Sequence, residues 1–259
     1  MNSHLRVTLV QAELAWQDPA ANRRNLAAHF RGLGGHTDLV ALPEMFSTGF
    51  SMAAREFAED MDGPTVGWMR EEAAALGCVI TGSLIVRDGE RFFNRLVWAR
   101  PDGSVEHYDK RHLFRMAGEQ QQYSAGTRRL VVELKGWRVC PMICYDLRFP
   151  VWSRSRDDYD VLLYVANWPQ RRALAWATLL RARAIENLCY VAGVNRVGRD
   201  GNGATYAGDS VALDFLGQPL SSEGGGDRVE TAVLDLESLR AYRQSFPAQA
   251  DADRFELAP

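Results

Sequence analysis

Residues 138–150 read Arg-Val-Cys-Pro-Met-Ile-Cys-Tyr-Asp-Leu-Arg-Phe-Pro, an apolar run that ends abruptly at Cys144. A short polar turn follows, and the Phe-Pro pair is a place where a helix can begin. A thiol at a strand-to-helix turn stands clear of the strand's own side chains. The backbone N–H groups just after it can bind an anion formed on a substrate. The stretch therefore predicts a cysteine nucleophile at Cys144.

Short apolar segments alternate with helical patterns on both sides of this stretch. Buried strands are predicted from runs of Val, Leu and Ile at 6–10, 38–42, 78–86, 139–143, 161–166 and 189–194. Helices are predicted after Pro19 and Pro64 and over 148–158 and 171–188. A loop is predicted over 47–62 and a polar tail after Leu236. Buried strands alternating with helices favour an α/β fold with helix-covered sheets.

The composition excludes several classes of protein. The 259 residues fit one large domain or two small ones, and no linker divides them. The net charge is −3 with acids and bases mixed, so nucleic-acid binding has little support. No apolar run approaches the about 20 residues of a membrane helix, and the N-terminus lacks the features of a secretory signal. We therefore expect a cytoplasmic protein without a membrane segment.

Three polar residues stand at or near the ends of predicted strands: Glu44, Lys110 and Cys144. A free thiol is mostly protonated at neutral pH and needs a nearby cation or base. Lys110 would favour the thiolate and stabilise an oxyanion, with the Tyr145 N–H as second donor. Glu44 would carry protons between the thiol, the leaving nitrogen and water. Each residue also has an ordinary structural interpretation, as a helix-start charge, a solvated lysine and a core cysteine.

Two other chemistries use the same segments. His112, two residues after Lys110, is an alternative general base for a Cys-His arrangement. Cys140 and Cys144 form a Cys-x3-Cys pair, which suggests a redox or metal site. Two further Cys or His ligands, which a zinc site needs, are missing nearby.

Several motifs together resemble the signatures of the nitrilase, or carbon–nitrogen hydrolase, superfamily. Three are Leu-Pro-Glu-Met-Phe at 42–46, Tyr-Asp-Lys-Arg-His-Leu-Phe at 108–114 and Ile-Cys-Tyr-Asp-Leu-Arg-Phe-Pro at 143–150. The segments 164–169 and 183–187 also match. The resemblance runs over essentially the whole chain, and within the superfamily it is strongest to the bacterial ω-amidases.

The resemblance implies a single carbon–nitrogen hydrolase domain over 1–259, built as a four-layer αββα sandwich that pairs with a second copy through its helices. It implies Glu44 as general base, Lys110 as oxyanion stabiliser and Cys144 as nucleophile, with no cofactor and no metal. Glu119 corresponds to the family's second active-site glutamate and would orient Lys110 and the substrate.

Further residues near these motifs are candidates for substrate binding. Arg148 suits a substrate carboxylate, because guanidinium binds carboxylates bidentately; an ion pair with Asp146 or Glu186 is the alternative. Asn167 and Trp168 should reach the pocket rim. The remaining candidates are Tyr145 beside the nucleophile and, as pocket walls, Phe46, Phe50 and Met116.

The implied activity is hydrolysis of the terminal amide of small ω-amides of 2-oxo dicarboxylic acids, namely 2-oxoglutaramate and 2-oxosuccinamate. The implied partner is thus a small-molecule amide. A nitrilase or an N-carbamoyl amine hydrolase would use the same three residues with a different pocket. A non-catalytic binding protein on this scaffold is the alternative from another class.

Overall fold

The computed structural model of the chain describes residues 3–222, 224–253 and 255–257. The strands, in chain order, are β1 His4–Gln11, β2 Leu39–Ala41, β3 Val79–Asp88, β4 Arg91–Ala99, β5 Val105–Asp109, β6 Val132–Leu134, β7 Trp137–Ile143, β8 Val161–Ala166, β9 Tyr190–Asn195, β10 Val197–Arg199, β11 Thr205–Ala207, β12 Val211–Leu213 and β13 Arg228–Asp235. The α-helices are α1 Pro19–His29, α2 Ala54–Phe57, α3 Pro64–Leu76, α4 Glu119–Gln122, α5 Pro150–Ser153, α6 Ala173–Asn187 and α7 Leu236–Ser245. Among the described residues, no helix has the length and apolar character needed to cross a bilayer.

The strands form two large sheets. The first sheet has the order β13-β1-β2-β3-β4-β5, with β1, β2 and β3 parallel and the remaining pairs antiparallel. The second has the order β12-β9-β8-β7-β6, with β7, β8 and β9 parallel and the edge strands antiparallel. Strands β10 and β11 form a separate small hairpin. Because their central strands are parallel, both sheets present the carboxyl ends of those strands at an edge, where binding sites form in such sheets.

Alternation along the strands explains the layers. In β2, Leu39 and Ala41 join the large apolar cluster that includes the second sheet, whereas Val40 packs with Leu26 of α1 and Met69 of α3. Successive residues of a strand point to opposite faces, so one face meets the other sheet and one meets helices. On the second sheet, α6 lies so close to β9 that a Cβ on Gly193 would be 2.7 Å from Leu180. The α/β prediction and the αββα arrangement are confirmed.

The helix predicted over 148–158 is much shorter. A 3-10 helix covers Cys144–Arg148 and α5 covers only Pro150–Ser153. The backbone beyond α5 bonds to other parts of the molecule instead of continuing the helix. Arg129 donates to the carbonyl of Arg154, and the Ser155 N–H donates to the Asn187 side chain.

The polar tail predicted after Leu236 is wrong, because α7 occupies that segment. The Asp235 side chain caps the helix by accepting from the backbone N–H groups of Glu237 and Ser238. Leu236 and Leu239 are buried in the large apolar cluster. An aspartate followed by leucines three residues apart is a helix-start signal that sequence reasoning missed. The loop predicted over 47–62 contains the short helix α2.

Candidate active site

The ends of four strands bring polar side chains to one edge of the paired sheets. Glu44 follows shortly after β2, whereas Lys110, Cys144 and Asn167 come directly after β5, β7 and β8. All four are buried: the exposed fraction is 0% for Glu44, 1% for Lys110, 4% for Asn167 and 9% for Cys144. Buried polar groups are costly unless they are paired, so their partners define the site.

Lys110 lies between two carboxylates. Its Nζ is 2.7 Å from Glu44 Oε1, and 3.0 and 2.9 Å from the two carboxylate oxygens of Glu119. Asn94 of β4 spans the same pair, since its Nδ2 donates to Glu44 at 2.8 Å and to Glu119 at 3.2 Å. These bonds fix the ammonium in one position. Sequence reasoning missed Asn94, although a buried asparagine within the apolar strand segment 92–99 was the available signal.

A glycine holds the backbone that carries Lys110. The Gly126 N–H donates to the Lys110 carbonyl at 2.9 Å. A Cβ at Gly126 would lie 2.1 Å from the carbonyl oxygen of Asp109, a distance that no side chain tolerates. The close approach of the two segments therefore requires glycine.

The charges in this cluster are unequal. Burial alone would lower the pKa of Lys110, but the carboxylates of Glu119 and Glu44 outweigh it and raise that pKa. Burial raises the pKa of Glu119, while Lys110 opposes the shift. One ammonium faces two carboxylates, so the ionised cluster has excess negative charge and can accept a further proton.

The second oxygen of Glu44 faces the end of β8. The Asn167 backbone N–H donates to Glu44 Oε2 at 2.9 Å, and the Asn167 side-chain amide donates to the Glu44 carbonyl. Asn167 thus ties the first sheet to the second at the site. Its own carbonyl lies 3.9 Å from Cys144 Sγ. The carboxylate and the thiol are therefore held around the same residue.

Cys144 has an uncommon backbone conformation. Its φ of 42° lies in the left-handed region, which non-glycine residues seldom adopt and which is enriched at functional sites. Burial, and then the charge of Glu44, raise the pKa of the thiol well above its ordinary value, whereas Lys110 acts in the opposite direction. Lys110 favours the thiolate, as expected, but burial and the charge of Glu44 together outweigh it. The resting nucleophile is a thiol with a carboxylate beside it.

Asp146 fastens the turn that carries Cys144. It accepts from the Ile143 N–H at 3.1 Å and the Tyr108 hydroxyl at 2.7 Å. It also accepts from the His112 N–H at 3.0 Å and contacts His112 Nδ1 at 2.7 Å. Ile143 directly precedes Cys144 in the chain, whereas Tyr108 and His112 lie on either side of Lys110. Asp146 therefore links the cysteine turn to the lysine loop.

A pocket with a cavity volume of about 50 Å³, partly open to solvent, leads to these groups. The pocket is lined by six polar residues, Glu44, Lys110, Cys144, Arg148, Asn167 and Arg172. The other lining residues are Phe50, Phe114, Tyr145, Trp168, Pro169 and Tyr206. The space fits a small acyclic molecule rather than a polymer. Sequence reasoning did not select Phe114 or Arg172.

Two predicted pocket walls lie elsewhere. Phe46 is fully buried and packs on Trp68 with ring centroids 5.9 Å apart, and a Cβ on Gly82 would be 2.8 Å from it. Phe46 is therefore a core residue beneath the helices. Met116 is 64% exposed, and its sulfur contacts the Arg172 side chain at 3.5 Å outside the pocket lining.

The structure also decides between the alternative interpretations of Arg148, His112 and Cys140. Arg148 lies over the Trp168 ring at 5.0 Å and lines the pocket, instead of pairing with Asp146 or Glu186. His112 stacks on Phe149 at 3.8 Å, bonded to Asp146, and does not line the pocket. Cys140 is fully buried in the apolar cluster, and both Cys140 and Cys144 are free thiols.

Comparisons with known proteins agree with this geometry. The carbon–nitrogen hydrolase family model matches residues 6–244. The chain belongs to the carbon–nitrogen hydrolase family. It is an enzyme that hydrolyses carbon–nitrogen bonds other than peptide bonds, as the motifs at 42–46, 108–114 and 143–150 predicted.

Individual relatives are similar over nearly their whole length. The chain is 49% identical to "Omega-amidase YafV" of Yersinia enterocolitica, covering 98% of this chain and 99% of the relative. It is 32% identical to "2-oxoglutaramate amidase" of Bacillus subtilis, covering 95% and 96%. A solved structure from Xanthomonas campestris, a CN-hydrolase superfamily protein with an arsenic adduct in its active site, has a TM-score of 0.97 and 54% identity, covering 98% and 99%. The predicted resemblance to ω-amidases is confirmed.

Proposed function

We propose that this carbon–nitrogen hydrolase releases ammonia from the terminal amide of short 2-oxo dicarboxylic acid amides, 2-oxoglutaramate and 2-oxosuccinamate. The observation that carries the proposal is the contact of Lys110 with both Glu44 and Glu119 at the floor of the pocket that Cys144 reaches. The names of the Yersinia and Bacillus relatives support the ω-amide substrate class.

The first half-reaction makes a thioester. Glu44 takes the proton of the Cys144 thiol as Sγ attacks the amide carbon, which suits a thiol whose pKa is raised. The electron pair of the carbonyl moves to its oxygen, and the oxyanion is held by Lys110 and the Tyr145 N–H. When the carbonyl re-forms, the C–N bond breaks, Glu44 gives its proton to the nitrogen, and ammonia leaves.

The second half-reaction returns the enzyme to its starting state. Glu44 takes a proton from water, and the resulting hydroxide attacks the thioester carbon. The C–S bond then breaks, the acid is released, and the sulfur regains a proton from Glu44. Glu119 keeps Lys110 in place through both steps, because it bonds the ammonium with both oxygens.

The substrate's far end lies against the aromatic and cationic part of the pocket. Arg148 offers a guanidinium for the substrate carboxylate, and Trp168 supports it from one side. Asn167 orients Glu44 and contributes to the wall on which the amide lies.

Ammonia release from a substrate panel tests this proposal. We expect release from 2-oxoglutaramate and 2-oxosuccinamate to exceed release from a matched nitrile and a matched N-carbamoyl amine by at least about tenfold in kcat/KM. Faster turnover of the nitrile or the carbamoyl compound would assign the site to a different member of the family.

We also propose that two copies pair through the outer face of α6. Leu174 is 82% exposed and Ile185 is 52% exposed, although both are large apolar residues on one helix face. We expect light scattering to give the molar mass of two chains for the wild type and of one chain for the double variant Leu174→Glu, Ile185→Glu.

The cytoplasmic location stays a prediction.

A further inference from the structure

Two arginines at the pocket lack, within the described part of the chain, the carboxylate partner that several other buried or half-buried arginines of the protein have. Arg95 and Arg138 are examples of the usual arrangement, since each bonds aspartate oxygens at 2.6 to 3.1 Å. Arg148 and Arg172 line the pocket instead, and neither has an ion pair with a carboxylate of residues 3–222, 224–253 or 255–257. Their neighbours are rings and a thioether: Arg148 lies over Trp168, while Arg172 lies 5.3 Å from the Phe114 ring centre and touches a methionine sulfur.

The positive charge at this end of the pocket is therefore unbalanced. Burial, then the charges of Arg171 and Arg148, lower the pKa of Arg172. An arginine nevertheless remains protonated in proteins. Helix α6 begins at the next residue, Ala173, and its amino end adds a further partial positive charge. Two half-buried guanidinium groups that lack a carboxylate partner among the described residues have N–H donors available to an anion that enters the pocket.

Negative charge among the described pocket-lining residues is found only at the floor of the pocket. Glu44 is the acidic residue among those that line it, and its oxygens are already engaged by Lys110, Asn94 and the Asn167 N–H. A substrate with its amide at Cys144 would thus place its other end among guanidinium groups. A carboxylate and a keto oxygen are acceptors that suit these donors. An α-ammonium would meet two like charges and no described carboxylate.

We propose that Arg172, together with Arg148, forms a paired cationic subsite that selects 2-oxo acid amides and rejects the corresponding α-amino acid amides, glutamine and asparagine. This inference rests on the proposed amidase function and adds Arg172 as a specificity-determining residue. Arg148 donates to the substrate carboxylate, and Arg172 supplies a second guanidinium that donates to the keto oxygen.

Arg172→Gln, with Arg171→Gln as matched control, tests the subsite. Arg171 carries the same charge, is exposed, and does not line the pocket. For Arg172→Gln we expect kcat/KM with 2-oxoglutaramate to fall about 10- to 100-fold, mostly through KM, which is the size of one charged hydrogen-bond pair. The fall for pentanamide, which has no charged end, should be at least tenfold smaller, and Arg172→Lys should restore part of the loss. Arg171→Gln should leave all of these values unchanged.

Measuring product binding tests the subsite independently of the hydrolysis reaction. By titration calorimetry, wild type should bind 2-oxoglutarate more tightly than glutamate, and Arg172→Gln should lose most of that difference. Equal losses with 2-oxoglutaramate and pentanamide, equal losses in Arg171→Gln, or an unchanged preference in Arg172→Gln would each overturn the subsite. If wild type binds 2-oxoglutarate through Arg172 but releases no ammonia from any amide, the proposed function fails and the subsite stands.

Discussion

Cys140 and Cys144 lie four residues apart, one within β7 and one at its end, yet only one is placed for chemistry. Burial raises the pKa of Cys140 to about 12 and that of Cys144 well above its ordinary value, so neither is a thiolate at rest. Cys140 packs in the apolar cluster between and around the sheets. Cys144 reaches the pocket beside Glu44 and Lys110. The difference teaches that reactivity here depends on a neighbouring base and cation rather than on a low thiol pKa.

The strongest way to break this contrast is to remove the base. Glu44→Gln should lower kcat/KM about 10³-fold or more, because proton transfer to and from the thiol, ammonia and water is lost. The charge of Glu44 raises the pKa of Cys144, so the pH midpoint of Cys144 alkylation by iodoacetamide should fall in the same variant. Turnover and thiol ionisation then move in opposite directions.

Glu186→Gln is the control for that variant, since Glu186 pairs with Arg183 away from the pocket. It should leave both turnover and the alkylation midpoint unchanged. If the Glu44→Gln enzyme has a near-normal kcat/KM, Glu44 is not the general base.

Loosening the cysteine turn should have a smaller effect. Asp146→Asn replaces a carboxylate that accepts from the Ile143 N–H, the His112 N–H and the Tyr108 hydroxyl, and some of these buried donors would lose their acceptor. We expect the free energy of unfolding to fall by about 1–3 kcal/mol in urea titrations. We also expect kcat to fall about tenfold, because Cys144 and Lys110 are less well positioned. A stable variant with unchanged kcat would show that this link does not position the nucleophile.

The buried thiols should also make the free energy of unfolding depend on pH in the alkaline range. A thiol whose pKa is raised in the folded protein keeps its proton above pH 9.0, where the unfolded chain has released it. The stabilisation is complete below that pH and is lost as pH rises through the folded pKa. The free energy of unfolding should therefore fall between pH 9 and 11 by up to about 1.4 kcal/mol per pH unit for each such thiol. Cys140→Ala should reduce the slope by one thiol; an unchanged slope would contradict the assignment.

The smallest effect is expected from Cys140 itself at neutral pH. Cys140→Ala removes one buried sulfur from a packed core and should lower the free energy of unfolding by about 1 kcal/mol. The kcat/KM of this variant should stay within about twofold of wild type. A large loss of turnover would revive the idea that Cys140 and Cys144 act as a pair.

Sequence could predict the residues at strand ends better than those within strands. Glu44, Lys110 and Cys144 stand at or near the ends of predicted strands, but their roles were assigned from the resemblance of their motifs to the carbon–nitrogen hydrolase signatures and not from position alone. Asn94 and Arg172 were not found, because their contacts depend on how β4 meets the lysine loop and on where α6 begins relative to the pocket. Tertiary placement, rather than local pattern, decides such positions.

Residue type alone also misled in two places. Phe46 is the last residue of the glutamate motif, but it belongs to the helix-covered face beside Gly82, where the absence of a side chain leaves room for the ring. The segment after Leu236 is polar on average, yet two leucines and an aspartate cap suffice for α7. In both cases the face that a side chain adopts matters more than the composition of its segment.

Trapping the covalent intermediate tests the central claim most directly. Wild-type enzyme turning over 2-oxoglutaramate would be quenched in acid, digested and analysed by mass spectrometry, with Cys144→Ala in parallel. We predict an acyl adduct, labile to hydroxylamine, on Cys144 of the wild type, none on Cys140, and neither adduct nor ammonia release in the variant. An adduct on another residue, or ammonia release by Cys144→Ala at the wild-type rate, would contradict the account.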